Sequence, residues 1–320
     1  MNWDTHDISN QYDELTDYNL YSTDAPLREA IARAGAGWAD EALQGYGGKL
    51  GNGQTWQWAA LANKHEPEFD AFDARGRRVD RVAFHPSWHE LMRLHREAGS
   101  VSMAFRAPQQ PGRWTAWAAH FYMEGQVEAG SMCPLSMTQA SIPVLSKEPG
   151  LWATYGDKLM SNSYDARDLP IEQKSSIWIG MGMTEKQGGS DVRANTTTAT
   201  PIGAGVRGGE YLIRGHKWFF SAPMCDAHLV VARTADGGPS CFFVPRWKPD
   251  GTKNPVRIQR LKEKVGNRSN SSSEVEFQDA WGILMGEEGR GIPTIIEMAT
   301  YTRLHCVLGS SAMLRQAAVQ

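Results

Sequence analysis

The apolar residues of this 320-residue chain change their period twice, and the period decides which backbone conformation can bury them. Asp24 and Pro26 precede Leu27, Ala30, Ile31 and Ala34 at helical spacing, which predicts a first helix ending near Gly35 or Gly37. Ser87 and Glu90 fit a capping box, in which each side chain takes the other's exposed amide, and with Trp88, Leu91 and Met92 they predict a second helix to about Ala98. Trp114, Trp117, Ala118, Phe121 and Tyr122 fall at i, i+3, i+4, i+7 and i+8 and predict a third helix running toward Ala129. Pro134, Pro143 and Pro149 punctuate further helical material, including 151–160, before a polar stretch at 161–175.

From Ile177 the helical period stops. Segments at 178–183, 195–200, 210–221, 227–233, 241–244, 256–261 and 273–277 are rich in Thr, Val, Ile and aromatic residues, with glycine turns between them, and predict an antiparallel β-barrel or sandwich. Gly286-Glu287-Glu288-Gly289-Arg290-Gly291 then turns the chain into renewed helix, marked by Ile292, Ile295, Ile296, Ala299, Leu304, Val307, Leu308 and Met313. The expected fold is α+β: a mostly helical N-terminal domain at 1–174, a middle β domain at 175–285, and the first helix of a C-terminal helical bundle at 286–320. That last helix is apolar around much of its girth and needs partners on several sides, so the C-terminal domain is expected to be largely missing.

Charge narrows the function. Lys and Arg total 33 against 36 Asp and Glu, a net charge of -3, which gives no clustered basic footprint for nucleic acid. No signal peptide is legible and no window nears the ~18 apolar residues of a membrane span, so a cytoplasmic chain without membrane contact is expected. Cys133, Cys225, Cys241 and Cys306 lack CxxC or CxH spacing, so they are expected as reduced, buried side chains with neither disulfide nor metal.

Two glycine motifs compete as ligand sites. Gly203-Ala204-Gly205-Val206-Arg207-Gly208 has the letters of a dinucleotide fingerprint, but Tyr211-Leu212-Ile213 follows as strand where the fingerprint needs a helix, so it reads as a hairpin loop. The stretch Thr184-Glu185-Lys186-Gln187-Gly188-Gly189-Ser190-Asp191 instead sets hydroxyls and bare glycine amides directly after a strand, where they can approach polar ring edges and phosphates. Read alone it fits a glycine turn capped by Ser190 and Asp191 equally well.

Further motifs decide between the two readings. M-G-M-T-E-K-Q-G-G-S-D-V at 181–192 is followed by H-K-W-F-F-S at 216–221, K-V-G-N-R-S at 264–269 and the glycine turn at 286–291. In this order they resemble the acyl-CoA dehydrogenase family, whose middle domain shows T-E-x-x-x-G-S-D, then K-x-W-[IF]-[ST], then K-x-G-x-R-x-S, and whose C-terminal bundle is entered through G-E-x-G-x-G. With V-E-A-G-S-M-C-P at 127–134 the chain looks most like the AidB-type, alkylation-response branch, and the resemblance covers essentially its whole length.

The resemblance implies FAD as cofactor. Carried over, Met181, Gly182, Met183, Thr184, Gly189 and Ser190 would line the flavin, with Thr184 near the ring's polar edge and Ser190 toward the pyrophosphate; Phe219, Phe220 and Ser221 would form the opposing wall. Either Trp218 or Phe219 would pack on the ring. The implied activity is α,β-dehydrogenation of an acyl thioester, with a carboxylate as base and the flavin as hydride acceptor. Most members keep that base late in the C-terminal domain, and one class carries an earlier E-R pair where this chain reads Thr302-Arg303, so the catalytic residue stays unassigned. Glu297 is off that face and is expected as a solvated or interface residue. His120, His216 and His228 are expected to be structural, and Ser131 lacks a G-x-S-x-G elbow. The resemblance further implies a homo-oligomer, tetrameric in the family. It leaves two alternatives open: a DNA-associated protective flavoprotein, or a non-catalytic truncated subunit.

Overall fold

A computed structural model describes residue 5 and residues 9–235 and 238–320. Three helices come first: α1 (Ala25–Arg33), α2 (Asp40–Leu50) and α3 (Gly53–Lys64). Asp24 caps α1 by accepting from the Leu27 amide, and Pro26 sits in its first turn, where no amide is needed. A hairpin of β1 (Glu68–Phe72) and β2 (Arg78–Ala83) follows, which the sequence did not predict. It docks on the β domain by packing Phe69 and Val82 against the barrel core and through polar contacts: Asp80 accepts from the Ile258 amide at 3.0 Å, and the Arg78 guanidinium donates to the Ile258 carbonyl.

Helices α4 (Pro86–Glu97), α5 (Met103–Arg106), α6 (Arg113–Val127), α7 (Met132–Leu145) and α8 (Pro149–Met160) complete the helical region. The capping box foreseen at Ser87 does not form. Pro86 occupies the first turn, so the cap moves back to His85, whose Nδ1 accepts from the Ser87 amide at 3.2 Å. Nearly every side of α7 is buried, because α9, α8 and α4 pack on it together with β3 of the β domain.

The β domain comprises β3 (Ile179–Gly182), β4 (Thr198–Ile202), β5 (Glu210–Phe220), β6 (Ala227–Thr234), β7 (Gly238–Pro245), β8 (Val256–Leu261) and β9 (Ser273–Met285). Strands β6, β4, β5, β9 and β7 close into a ring through the β6–β7 pairing, with β3 added on β6 and β8 on β9. The sheet is not purely antiparallel as expected: β3 runs parallel to β6, and Thr198 pairs in parallel with Arg233. The long excursion through β4 and β5 separates β3 from β6, and such a crossover brings strands back in the same direction. Gly203 to Gly208 do form the loop of a hairpin, closed by the Ile202–Glu210 pair.

Both faces of β6 and β7 are covered, which is why they read as continuous apolar runs rather than alternating ones. One core fills the ring with Tyr211, Ile213, Val230, Phe242 and Phe277. Another runs from Leu91 and Trp117 through Leu135 and Ile142 to Ile179, Leu229 and Phe243, joining helices to sheet. At about 1.5–3 kcal/mol per large side chain fully buried, this shared core makes helices and barrel one packed body. The chain ends in α9 (Gly291–Val319), which starts at a close approach: a Cβ on Gly291 would lie 2.3 Å from the Ser240 carbonyl carbon. Among the described residues no helix is long and apolar enough to cross a membrane.

Candidate functional site

The loop after β3 is clamped to β5 by a buried ion pair. Glu185 receives the Lys217 ammonium at 2.7 Å, and both side chains are fully buried. The same carboxylate accepts from the amides of Thr196 (2.7 Å) and Thr197 (3.1 Å) and from Gln187 Nε2 (2.7 Å). Burial pushes the Glu185 pKa up, but Lys217 and these donors outweigh it and hold the carboxyl at about 2. Burial lowers Lys217 to about 8 against the pull of Glu185, so both groups are charged at neutral pH. Two backbone ties complete the clamp: Trp218 N–H donates to the Thr184 carbonyl at 2.8 Å, and the Lys186 amide donates to His216 Nε2 at 3.2 Å.

What the clamp presents is a loop edge. The Thr184 hydroxyl is half-buried with no partner among the described residues, and Gly189 stands against it, since a Cβ there would lie 3.3 Å from Thr184 Cγ2. Ser190 is exposed at the loop tip, and Met183 is half-buried, its carbonyl accepting from Asn195 Nδ2 at 2.6 Å.

The three consecutive aromatic residues at the end of β5 have separate environments because a bulge between Lys217 and Phe220 breaks the strand's alternation. Trp218 is half-buried under the Lys262 ammonium, 3.8 Å from the ring centre. Phe219 is 52% exposed, with the Lys262 ammonium 4.4 Å from its ring centre. Phe220 turns inward, 1% exposed and stacked on His228 with centroids 4.0 Å apart. A Cβ on Gly182 would strike the Phe220 ring at 2.7 Å, so Gly182 is a packing glycine. The expectation that the Phe220 side chain forms a ligand wall is thereby corrected: its ring belongs to the barrel core.

A cleft of about 330 Å³ opens between α6, α7 and α9 where β3 and β5 end. Met181 and Ser221 reach it from the two strands, Phe121 from α6, Cys133 and Ser136 from α7, and Thr302 and His305 from α9. A larger groove of about 650 Å³ lies on the outer face of β5 and β9, lined by Lys186, Arg214, Trp218 and Glu276, and of the predicted flavin residues it gathers Trp218 alone. The smaller cleft is the candidate site because it joins two of the predicted motifs to α9.

Ser136 and His305 were not singled out from sequence, and Cys133, expected as a buried thiol, is partly exposed. The Cys133 thiol meets Ser221 and Asn270, and burial raises its pKa. His305 is 3% exposed, stacked on Phe121 with centroids 4.8 Å apart, and its Nδ1 hydrogen-bonds the Ser136 hydroxyl. Burial drives its pKa down to about 3, so the ring is neutral. Thr302 was noted at the early-base position, and a helical turn between it and His305 was the available signal. The cleft lining carries no carboxylate, and Glu297 instead pairs with Lys147 at 2.6 Å.

The other titratable residues lie elsewhere. His120 stacks on Tyr46 at 4.6 Å in a closed cluster with His95, Ser100, Glu124 and Ser131, all inside the helical region. His228 is buried in the barrel and His216 serves the loop. Cys225 and Cys241 are buried as expected, whereas Cys306 is exposed on the cleft side of α9.

Helices thus pack on one side of a closed β barrel, with a clamped glycine loop and an exposed aromatic at one strand end. Comparisons with known proteins place the chain in a family. The family model described as the Adaptive response protein AidB N-terminal domain matches residues 10–166, and that of the acyl-CoA dehydrogenase middle domain matches 180–280. AidB of Escherichia coli is 49% identical over 99% of this chain, which spans 58% of that protein. The structure of ACDH-11 from Caenorhabditis elegans in complex with C11-CoA superposes with a TM-score of 0.83 at 24% identity, over 98% of this chain and 55% of the other. An acyl-CoA dehydrogenase from Bacillus anthracis complexed with FAD shares the fold at a TM-score of 0.54 and 18% identity, over 71% of this chain and 36% of the other. The chain belongs to the acyl-CoA dehydrogenase family, in its AidB-like branch.

Proposed function

We propose that this chain supplies the flavin wall and much of the acyl pocket of an FAD-dependent dehydrogenase that introduces an α,β double bond into an acyl thioester. The observation that carries the reading is the convergence of Met181 and Ser221, from two separate motifs, with Thr302 of α9 on one apolar cleft. The residues fit the cofactor. Thr184 and Ser221 offer hydroxyls, Gly189 and Ser190 offer exposed amides suited to phosphate oxygens, and Phe219 offers a ring face. Met181, Gly182 and Met183 bring the strand alongside, Gly182 by its backbone and Phe220 by supporting it from beneath. A bound flavin would accept hydride from the β-carbon.

The chain's own residues do the rest of the work. Phe121, Met137 and Met181 exclude water from the acyl chain, which strengthens every polar contact inside. The Glu185–Lys217 pair positions Thr184 and Trp218. With Thr302 at the early-base position and no carboxylate on the cleft, proton abstraction is not assigned to any residue of this chain. A nucleic-acid role draws no support from a net charge of -3.

Anaerobic titration of the FAD-loaded chain with octanoyl-CoA tests the reading. Perturbation or bleaching of the flavin spectrum is expected. A spectrum unchanged by octanoyl-CoA, with calorimetry showing no thioester binding, would refute it.

A further inference from the structure

Two motifs of the sequence, V-E-A-G-S-M-C-P at 127–134 and K-V-G-N-R-S at 264–269, contribute no predicted flavin residue, and one buried side chain joins them. Glu128 is 3% exposed. Its Oε1 accepts from the Gly130 amide (2.8 Å), the Ser269 hydroxyl (2.6 Å) and Asn63 Nδ2 (3.0 Å), and its Oε2 from the Ser131 amide (2.6 Å). All four neighbours donate, so both oxygens act as acceptors. Gly130 and Ser131 lead directly into α7, Asn63 lies in the last turn of α3, and Ser269 belongs to the connection from β8 to β9, so the carboxylate ties three separate segments. The approach is close: a Cβ on Gly130 would collide with the Ser269 hydroxyl. The Lys264 ammonium braces the same connection from within by donating to the Asn267 and Asn270 carbonyls. A further tie comes from the Ser131 hydroxyl, which meets His95 Nε2 at 3.2 Å.

The turn held in this way carries one wall of the cleft. Ala129, Met132 and Cys133 line it, whereas Glu128 stands behind them. Met181 and Ser221 build the strand-end wall, and the Cys133 thiol, which meets Ser221 and Asn270, marks where the two walls approach. We propose that Glu128 is a positioning residue that fixes the spacing of these walls and so sets the acyl chain length the cleft binds best. The inference rests on the acyl-thioester reading above and adds selectivity to it. None of the four Glu128 partners is a predicted flavin residue, and the flavin loop is clamped separately by Glu185 and Lys217, so flavin retention and chain-length selection are separable. Walls at fixed spacing give each added methylene full contact until the cleft is filled, worth ~4-fold in affinity, and then penalise the next one. A wall free to shift loses both the slope and the limit.

Calorimetric titration of the FAD-supplemented chain with the saturated series from butanoyl-CoA to dodecanoyl-CoA, with no electron acceptor present, tests this. The wild type is expected to show one best chain length, with affinity rising ~4-fold per methylene up to it and falling beyond it. Glu128→Gln sets an amino group where an acceptor oxygen stood, against neighbours that all donate. It is expected to move the maximum or to flatten the series to within ~3-fold, while the flavin retained after gel filtration matches wild type. Ser269→Ala cuts only the tie to the β8–β9 connection and leaves the carboxylate its other three donors. The same change of profile is expected there to a smaller degree, and that variant carries the test if Glu128→Gln does not fold. A merely structural role would weaken every chain length by the same factor. That result, an unchanged profile, or a wild-type series without a maximum refutes the positioning role while the acyl-thioester reading stands. If no acyl-CoA binds the wild type, the acyl-thioester reading falls and the positioning role with it.

Discussion

Replacing Lys217 by methionine leaves the Glu185 carboxylate buried with no cation against it. The ammonium lies 2.7 Å from Oε1 and neither side chain reaches solvent, so water cannot take its place. Removing one partner of a buried pair costs about 3–5 kcal/mol, a large share of the roughly 5–15 kcal/mol that holds a typical domain together. The Lys217→Met variant should therefore show a guanidinium midpoint far below wild type at pH 7. Its pH response carries the sharper signature. In the wild type Glu185 is held at about 2 against an ordinary 4.5, so its contribution is present above pH 4.5 and lost as pH falls toward 2. In the variant the unpaired carboxyl rises instead and can protonate, so the deficit should shrink as pH is lowered from 7 to 5. Adding Glu185→Gln should recover about 2 kcal/mol, because it removes the buried charge while its one amide oxygen still accepts from Thr196, although the donor amide of Thr197 then loses its acceptor. A deficit below about 1 kcal/mol that is the same at both pH values, or strict additivity in the double variant, would refute the clamp.

Burial pushes Glu124 up to about 8, so its contribution to stability is full below pH 4.5 and is lost as pH rises through 8; Glu124→Gln should flatten the melting temperature over that interval. Adding a methyl at Gly291 drives it into the Ser240 backbone, and Gly291→Ala should destabilise by about 1–3 kcal/mol in chemical denaturation, with the α9 amides losing hydrogen-exchange protection first.

The helices and strands with strong periods were legible because their burial is one-sided or complete. The amphipathic stripe of Trp114 to Tyr122 became α6, and the apolar run at 227–233 became the doubly covered β6. The β1–β2 hairpin escaped notice because its strands are short and charged, with Asp70 paired to Arg81 across them, and only Phe69 and Val82 carry its apolar contact with the barrel core. Parallel pairing of β3 with β6 leaves no trace in composition. Within the site, the motif residues were legible only through family resemblance, and the side-chain directions on β5 were not, because the bulge before Phe220 breaks the two-residue alternation on which such a reading depends. The contact of Ser136 with His305 joins positions far apart in the chain, and nothing local to either residue announces it.

The central claim is that the loop at Met181 to Ser190 and the strand end at Phe219 to Ser221 together hold FAD. Its most direct test is the visible spectrum of the purified chain, passed through gel filtration after incubation with excess FAD. The account predicts a retained flavin spectrum that weakens in Phe219→Ala and is lost in Lys217→Met under conditions where that variant stays folded. A well-folded wild-type chain that emerges without flavin, or one whose flavin is indifferent to both substitutions, would contradict it.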